Sequence, residues 1–387
     1  MNRRRWMSCL LLCGAACTQA SDPISPDRGI ETASLTDKVY IVLLREGVDA
    51  RATANEIGRG NGFMARFVWE SVDGFSAFIP PGRLAAVRSD PRVELVVEDQ
   101  MVRLIEPIRP NVNCSKNPNH PLCGGGGGGT SEITPWGVTR VGGPRSGIGK
   151  VAWVIDTGVD LDHPDLNVDS ECSASFVTGR GGKATNPDDG NGHGTHVAGT
   201  IAAIDNDRDV VGVAAGATVC SVRVLDNRGS GTFEWVMSGV DFVAANGDPG
   251  DVANMSLGAA SENRTIDEAV ERAADRGIFF ALAAGNDGEN ALNHTPARVE
   301  HPRVLTVSAI GTNGCLASFS NFGNPPVDFA APGVGVTSLA RGGGTTTLSG
   351  TSMAAPHVAG IRLLGSVASD GAACDDPGGP ADPIAHY

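Results

Sequence analysis

The sequence predicts an α/β protein, a parallel sheet with helices on both faces, preceded by a smaller α+β unit. Near-continuous apolar runs recur at 151–155, 218–225, 252–257, 278–284 and 304–310, as expected of strands buried on both faces. Between two of them, 264–276 sets Ile266, Ala269, Val270, Ala273 and Ala274 at helical spacing. Upstream, 38–104 mixes β-branched runs with short helical stretches. Alternating strands and helices place sites at the carboxyl ends of the strands.

The chain opens with a segment that reads as an address. Arg3, Arg4 and Arg5 precede an apolar run from Trp6 to Cys17, then Thr18, Gln19 and Ala20. A basic start, a short apolar stretch and small residues after it read as a secretory signal over 1–20, too short for a transmembrane helix. Export into the medium is the expectation. Gly14-Ala15-Ala16-Cys17 leaves a lipid anchor through Cys17 as the alternative, although Gly14 stands where a bacterial lipoprotein box has Leu.

A linker follows over 21–37. In 38–104 the runs 38–44, 75–79 and 93–97 read as strands, with helical stretches near 50–59 and 84–88. The stretch 105–134 holds Cys114, Cys123 and six glycines, Gly124 to Gly129, and reads as a linker whose close Cys pair closes its own loop. The remaining unit is 135–387.

Charge follows the same divisions. The formal net charge is −14, yet 1–37, 38–104 and 105–134 each balance, with four, nine and two residues of either sign. All the excess acid lies in 135–387, with 15 basic against 29 acidic residues. That balance argues against a partner bound through nucleic-acid phosphates. Without a signal that includes Cys17, six cysteines remain: Cys114, Cys123, Cys172, Cys220, Cys315 and Cys374. An even set in an exported chain reads as disulfides, with connectivity open, and no paired metal-ligand spacing competes.

Three motifs carry chemistry. Val154-Ile155-Asp156-Thr157-Gly158 ends a strand with an acid; Asn191-Gly192-His193-Gly194-Thr195-His196 sets a His at the mouth of a helix; Gly350-Thr351-Ser352-Met353-Ala354 sets a Ser at a helix N-terminus. Singly these are a turn residue, a structural His and a helix cap. Together, in the order Asp, His, Ser, they resemble the subtilisin family of serine proteases. The resemblance covers about 135–370, and 38–104, with Gly74-Phe75-Ser76-Ala77-Phe78, is similar to that family's ferredoxin-like inhibitory propeptide.

The resemblance implies a subtilisin-like fold and a self-processing serine endopeptidase, monomeric, acting on proteins or peptides and inhibited by its own propeptide. A Ser hydroxyl needs a base to become a nucleophile. Ser352 is then the nucleophile, His193 the base and later acid, and Asp156 the residue that orients the imidazole. Asn286, in Ala283-Ala284-Gly285-Asn286, is implied as the oxyanion donor, with Thr351 as a possible helper. His196 and His357 are expected to pack rather than react. Gly229, Ser230 and Gly231, with Ser256, Leu257 and Gly258, match the family's two substrate-binding edges, where a peptide adds as a strand. Asp165 and Asn206 match a family calcium site, so Ca²⁺ is the expected ion. By the same analogy Cys172 pairs with Cys220, which leaves Cys315 for Cys374.

Three departures stand out, and one further residue bears on specificity. Ala259 replaces a frequent Gly and could narrow the pocket, and Asp287 is a candidate for favouring basic substrate residues. The 105–134 stretch is unusually long, so the maturation cut is expected between Leu104 and Ser131. The helix after Ser352 is expected to run to about Ser369, followed by a short Gly- and Pro-rich end that leaves a sheet edge uncovered. That end keeps open a catalytically inert, peptide-binding version of the fold.

Overall fold

The computed structural model describes residues 38–105, 107, 131–179, 184–261 and 263–387. The signal 1–20, the linker 21–37, Cys17 and the Cys114–Cys123 loop lie outside the described residues.

Residues 38–98 fold into a four-stranded antiparallel sheet in the order Ala65–Trp69, Gly74–Ile79, Lys38–Leu44, Val93–Glu98. The helices Ala50–Asn61 and Leu84–Arg88 accompany it. Ile41, Val42, Leu43 and Leu44 are all fully buried. This run has no clean alternation because both faces of its strand are covered. Val42 and Leu44 pack on the unit's own helical side, with Ala54 and Ile57. Ile41 and Leu43 belong to the core of the larger domain, with Val236 and Met237. The small unit is thus docked by its second face.

That docking also joins buried polar groups. Glu234 accepts from Arg66 through both oxygens, at 2.8 and 3.1 Å, and from the Ser76 hydroxyl at 2.6 Å. Trp69 Nε1 donates to Ser238 Oγ at 2.9 Å. The Ser71 and Val72 backbone N–H groups donate to Asp241 at 2.6 and 3.2 Å. Each acceptor comes from one helix, Phe233–Asn246.

The larger domain is built on a mostly parallel sheet. Its order is Ala368–Ala372, Pro383–His386, Val327–Pro332, Val304–Ile310, Phe279–Ala283, Val252–Met255, Val151–Asp156, Thr218–Arg223, Asn167–Val168. Every neighbouring pair is parallel except the hairpin of the first two strands. The helix Thr265–Asp275 buries the residues its spacing singled out: Ile266, Ala269, Val270, Ala273 and Ala274 are fully buried. Burial of the Ile and Val side chains stabilises by about 1.5–3 kcal/mol each. The His193–Ala202 and Thr351–Leu364 helices share a core cluster, with Val197, Ala198 and Ile201 packed among Met353 and Ala359.

Two expectations are corrected. The run 252–257 is not one strand. Val252–Met255 stays in the central sheet, and Leu257–Ala260 leaves it to form a separate edge. The helix after Ser352 stops at Leu364, where the Gly365 N–H bonds to Ile361 O. Ala368–Ala372 and Pro383–His386 then form a hairpin that extends the sheet beside Val327–Pro332, so the edge thought uncovered carries strands. The disulfides Cys172–Cys220 and Cys315–Cys374 are both formed. The second ties this hairpin region to the loop after Val304–Ile310.

Candidate active site

Asp156 is the last residue of its strand and is fully buried. Its carboxylate faces His193 Nδ1 with both oxygens, at 2.8 and 2.9 Å, and accepts from the Thr157 N–H at 2.7 Å. An ionised acceptor of this kind holds the imidazole proton on Nδ1, which leaves Nε2 as the basic nitrogen.

His193 opens its helix, and its position is set by an acid that the motif reading missed. Asp189, itself buried, accepts from the N–H groups of Asn191, Gly192 and Thr195 and from the hydroxyls of Thr157 and Thr195. It satisfies orphan donors at a helix start whose N-cap is Gly192, and its charge suits that end of the helix dipole. An acid shortly before a helix is a legible cap signal, so Asp189 could have been found in the sequence. The approach is close: a Cβ on Gly194 would collide with the carbonyl oxygen of Gly158.

Ser352 is the second residue of its helix and is buried. Its Oγ lies 3.1 Å from the carbonyl oxygen of Ile105 and 3.3 Å from that of Ser256. Asn286 is oriented by Thr351, whose N–H and hydroxyl donate to Asn286 Oδ1 at 2.9 and 3.0 Å. With the amide oxygen fixed, its NH₂ is the donating end. Thr351 thereby acts on Asn286, and its hydroxyl also accepts from the Gly285 N–H at 3.1 Å.

The two expected substrate edges are both filled by this chain's own residues. Met101–Leu104 runs antiparallel between Ser230–Thr232 and Leu257–Ala260. Ser230 pairs with Arg103, Gly231 with Val102, Leu257 with Leu104 and Gly258 with Arg103. The Leu104 N–H donates to Gly229 O at 2.8 Å and the Ile105 N–H to Ser256 O at 3.4 Å. A side chain at Gly229 would collide with that of Leu104.

Other singled-out residues have plainer places. His196 Nε2 lies 3.2 Å from Val336 O, and burial pushes its pKa down to about 3. His357 Nδ1 lies 2.8 Å from Met353 O, and burial pushes it down to about 4. Both are neutral packing residues. Asp287 is exposed and sits 3.8 Å from His294 Nδ1.

Asp165 and Asn206 are brought together, with Asn206 Nδ2 donating to Asp165 Oδ1 at 2.8 Å. Glu132, not singled out in the sequence, accepts from the Asn206 N–H at 2.8 Å.

Comparison with known proteins gives the family. Residues 148–365 match the model of the subtilase family. A subtilisin-like protease of Coccidioides posadasii is 36% identical, with 95% of this chain and 91% of the relative covered. Subtilisin E of Bacillus subtilis is 34% identical over 94% of this chain and 88% of its own length. The chain belongs to the subtilase family. As a subtilase it is a serine-type endopeptidase, and its substrates contain peptide bonds. A cold adapted subtilisin-like serine proteinase of known structure superposes with a TM-score of 0.57 at 38% identity, over 66% of this chain and 98% of the other. Among the described residues of this subtilase, no helix is long and apolar enough to cross a membrane.

Proposed function

We propose that this subtilase is a secreted endopeptidase made as a self-processing zymogen, with Asp156, His193 and Ser352 as its triad. The observation that carries the reading is Met101–Leu104 lying as a strand between both candidate substrate edges, with the Ile105 carbonyl beside Ser352. An inhibitor that occupies the cleft as a substrate does explains both the docked 38–105 unit and the geometry around Ser352.

In a cycle on an external peptide, the substrate replaces Met101–Leu104 and pairs with Ser230–Thr232 and Leu257–Ala260. Ser352 Oγ attacks the scissile carbonyl carbon as its proton passes to His193 Nε2. Asp156 stabilises the resulting imidazolium through Nδ1. The Asn286 NH₂ and the Ser352 N–H receive the negative charge that develops on the carbonyl oxygen. The Ser352 helix N-terminus adds a dipole of favourable sign. His193 then protonates the leaving amine, and water releases the acyl group by the reverse sequence.

Calcium fits the Asp165 site on its donor chemistry. Asp165 is fully buried, and none of the ion pairs among the described residues involves it. Burial, reinforced by the charges of Asp209 and Glu132, pushes its carboxyl up to about 7. A buried carboxyl with further acids nearby suits a hard cation, with Asp165, the partly exposed Glu132 and the exposed Asn206 supplying oxygens. Bound there, the ion supplies loop stability and takes no part in the chemistry.

The test is expression of 21–387 as wild type and as Ser352→Ala. The wild type is expected to lose its N-terminal unit without added protease, while the variant stays full-length. A wild type that stays intact and hydrolyses no peptide would end the reading.

A further inference from the structure

We infer that the first bond this chain cuts in itself is Ile105–Glu106, so that the protease is released with 106–130 still attached in front of Ser131. The inference rests on the endopeptidase reading above and fixes a bond within the long stretch where the sequence alone leaves the cut open.

The register selects the bond. Val102, Arg103 and Leu104 are each paired with an edge residue, and the ladder continues through the Ile105 N–H to Ser256 O. Side chains alternate as a bound strand demands: Val102 and Leu104 are buried at 0% and 4%, and Met101 and Arg103 are exposed. Ile105 packs against the cluster that contains Ala283, beside the Asn286 strand end. The carbonyl nearest to Ser352 Oγ in this strand is thus that of Ile105. A shift by one residue would turn Val102 and Leu104 to solvent and bring Arg103 inward. The register is therefore locked by burial.

The step balances without a further reagent. Ser352 Oγ bonds to the Ile105 carbonyl carbon, and its proton goes to His193. The bond to the Glu106 nitrogen breaks, and His193 returns the proton to that nitrogen. Water then hydrolyses the Ile105 ester and leaves a carboxylate.

Ile133 already bonds to the 204–211 loop, its N–H donating to Asp209 O at 3.0 Å and its carbonyl accepting from the Val211 N–H at 3.2 Å. The 25 residues of 106–130 can extend over roughly 80–90 Å at most. The released protease keeps Cys114, Cys123 and the glycine run as an N-terminal leader.

The test is a time course on full-length 21–387, with intact masses of the earliest products. The expected pair is an N-terminal fragment ending at Ile105 and a protease beginning at Glu106, at a rate independent of protein concentration. A Glu106→Pro variant, altered only on the leaving side, is expected to slow this first cut at least 100-fold. Ser352 in that variant should still react with a fluorophosphonate once the N-terminal unit is displaced. A first fragment ending elsewhere, or normal processing of Glu106→Pro at the same bond, would overturn the inference while leaving the endopeptidase reading intact. No cleavage together with no labelling of Ser352 would overturn both.

Discussion

Asp189 accepts from both the backbone N–H and the hydroxyl of Thr195, at 3.0 and 2.6 Å, within the first turn of the helix that begins at His193. The same carboxylate binds the Thr157 hydroxyl, and that hydroxyl accepts from the Gly194 N–H at 3.1 Å. The strand that ends in Asp156 and the helix that presents His193 are thereby tied through one buried acid.

Asp189→Ala should therefore injure position and stability together. Loss of a helix cap costs about 0.5–2 kcal/mol, and the donors left buried add to it. The expected result is a lower melting temperature and a reduced kcat with KM little changed. Asp189→Asn, which keeps an acceptor, should recover part of both. An unchanged kcat in Asp189→Ala would remove the positioning role.

Asn286→Ala is expected to lower kcat by about 10²–10³ with a small effect on KM, a magnitude known from the corresponding donor of subtilisin rather than deduced from this chain. Thr351→Val should show a smaller loss in the same direction, because the hydroxyl that donates to Asn286 Oδ1 disappears. Thr351→Ser should restore activity. Equal losses in Thr351→Val and Thr351→Ser would mean that the hydroxyl does not orient Asn286.

The docked N-terminal unit should be held more firmly at low pH. Asp241 is pushed up to about 7 by burial, against the lowering effects of the Ser71 and Val72 N–H groups and Arg276, with Glu70 adding to the rise. Asp99 is pushed up to about 6, again chiefly by burial. A raised pKa means that the docked state binds protons more tightly. Its contribution is complete below the ordinary carboxylate range of about 4 and is lost as pH rises through 6 to 7. Melting of Ser352→Ala zymogen should thus fall between pH 5 and pH 8. Adding Asp241→Asn should shrink that fall; an identical fall in both would rule Asp241 out as its source.

Calcium should raise the melting temperature of the Ser352→Ala zymogen, and chelation should lower it. Asp165→Asn is expected to abolish the response, since it removes the buried anion around which the 204–210 loop closes. A full calcium response in Asp165→Asn would place the ion elsewhere.

Much of this was legible because two signals are local. Strands buried on both faces announce themselves as apolar runs, and 304–310 matches Val304–Ile310 without adjustment. The Asp156, His193 and Ser352 motifs are short and sit at strand or helix ends. What could not be read depends on partners distant in sequence. Met101–Leu104 looks like the tail of its domain, and only pairing with residues some 130 and 155 positions onward makes it a strand. The break at Ser256 is invisible in an apolar run. It follows because Ser256 bonds to Ser352 O at 3.0 Å while Leu257 turns to pair with Leu104. The C-terminal hairpin was missed because Ala368–Ala372 is exposed and Pro383–His386 is short, so neither shows strand patterning, and the sheet edge and Cys315–Cys374 supply the order.

The claim on which the rest depends is that Ser352 is a nucleophile activated by His193. A fluorophosphonate applied to the processed protein, followed by peptide mass mapping, measures it directly. The account predicts one label, on Ser352, absent in Ser352→Ala and strongly slowed in His193→Ala. A processed protein that takes no label, or takes it at full rate without His193, would contradict it.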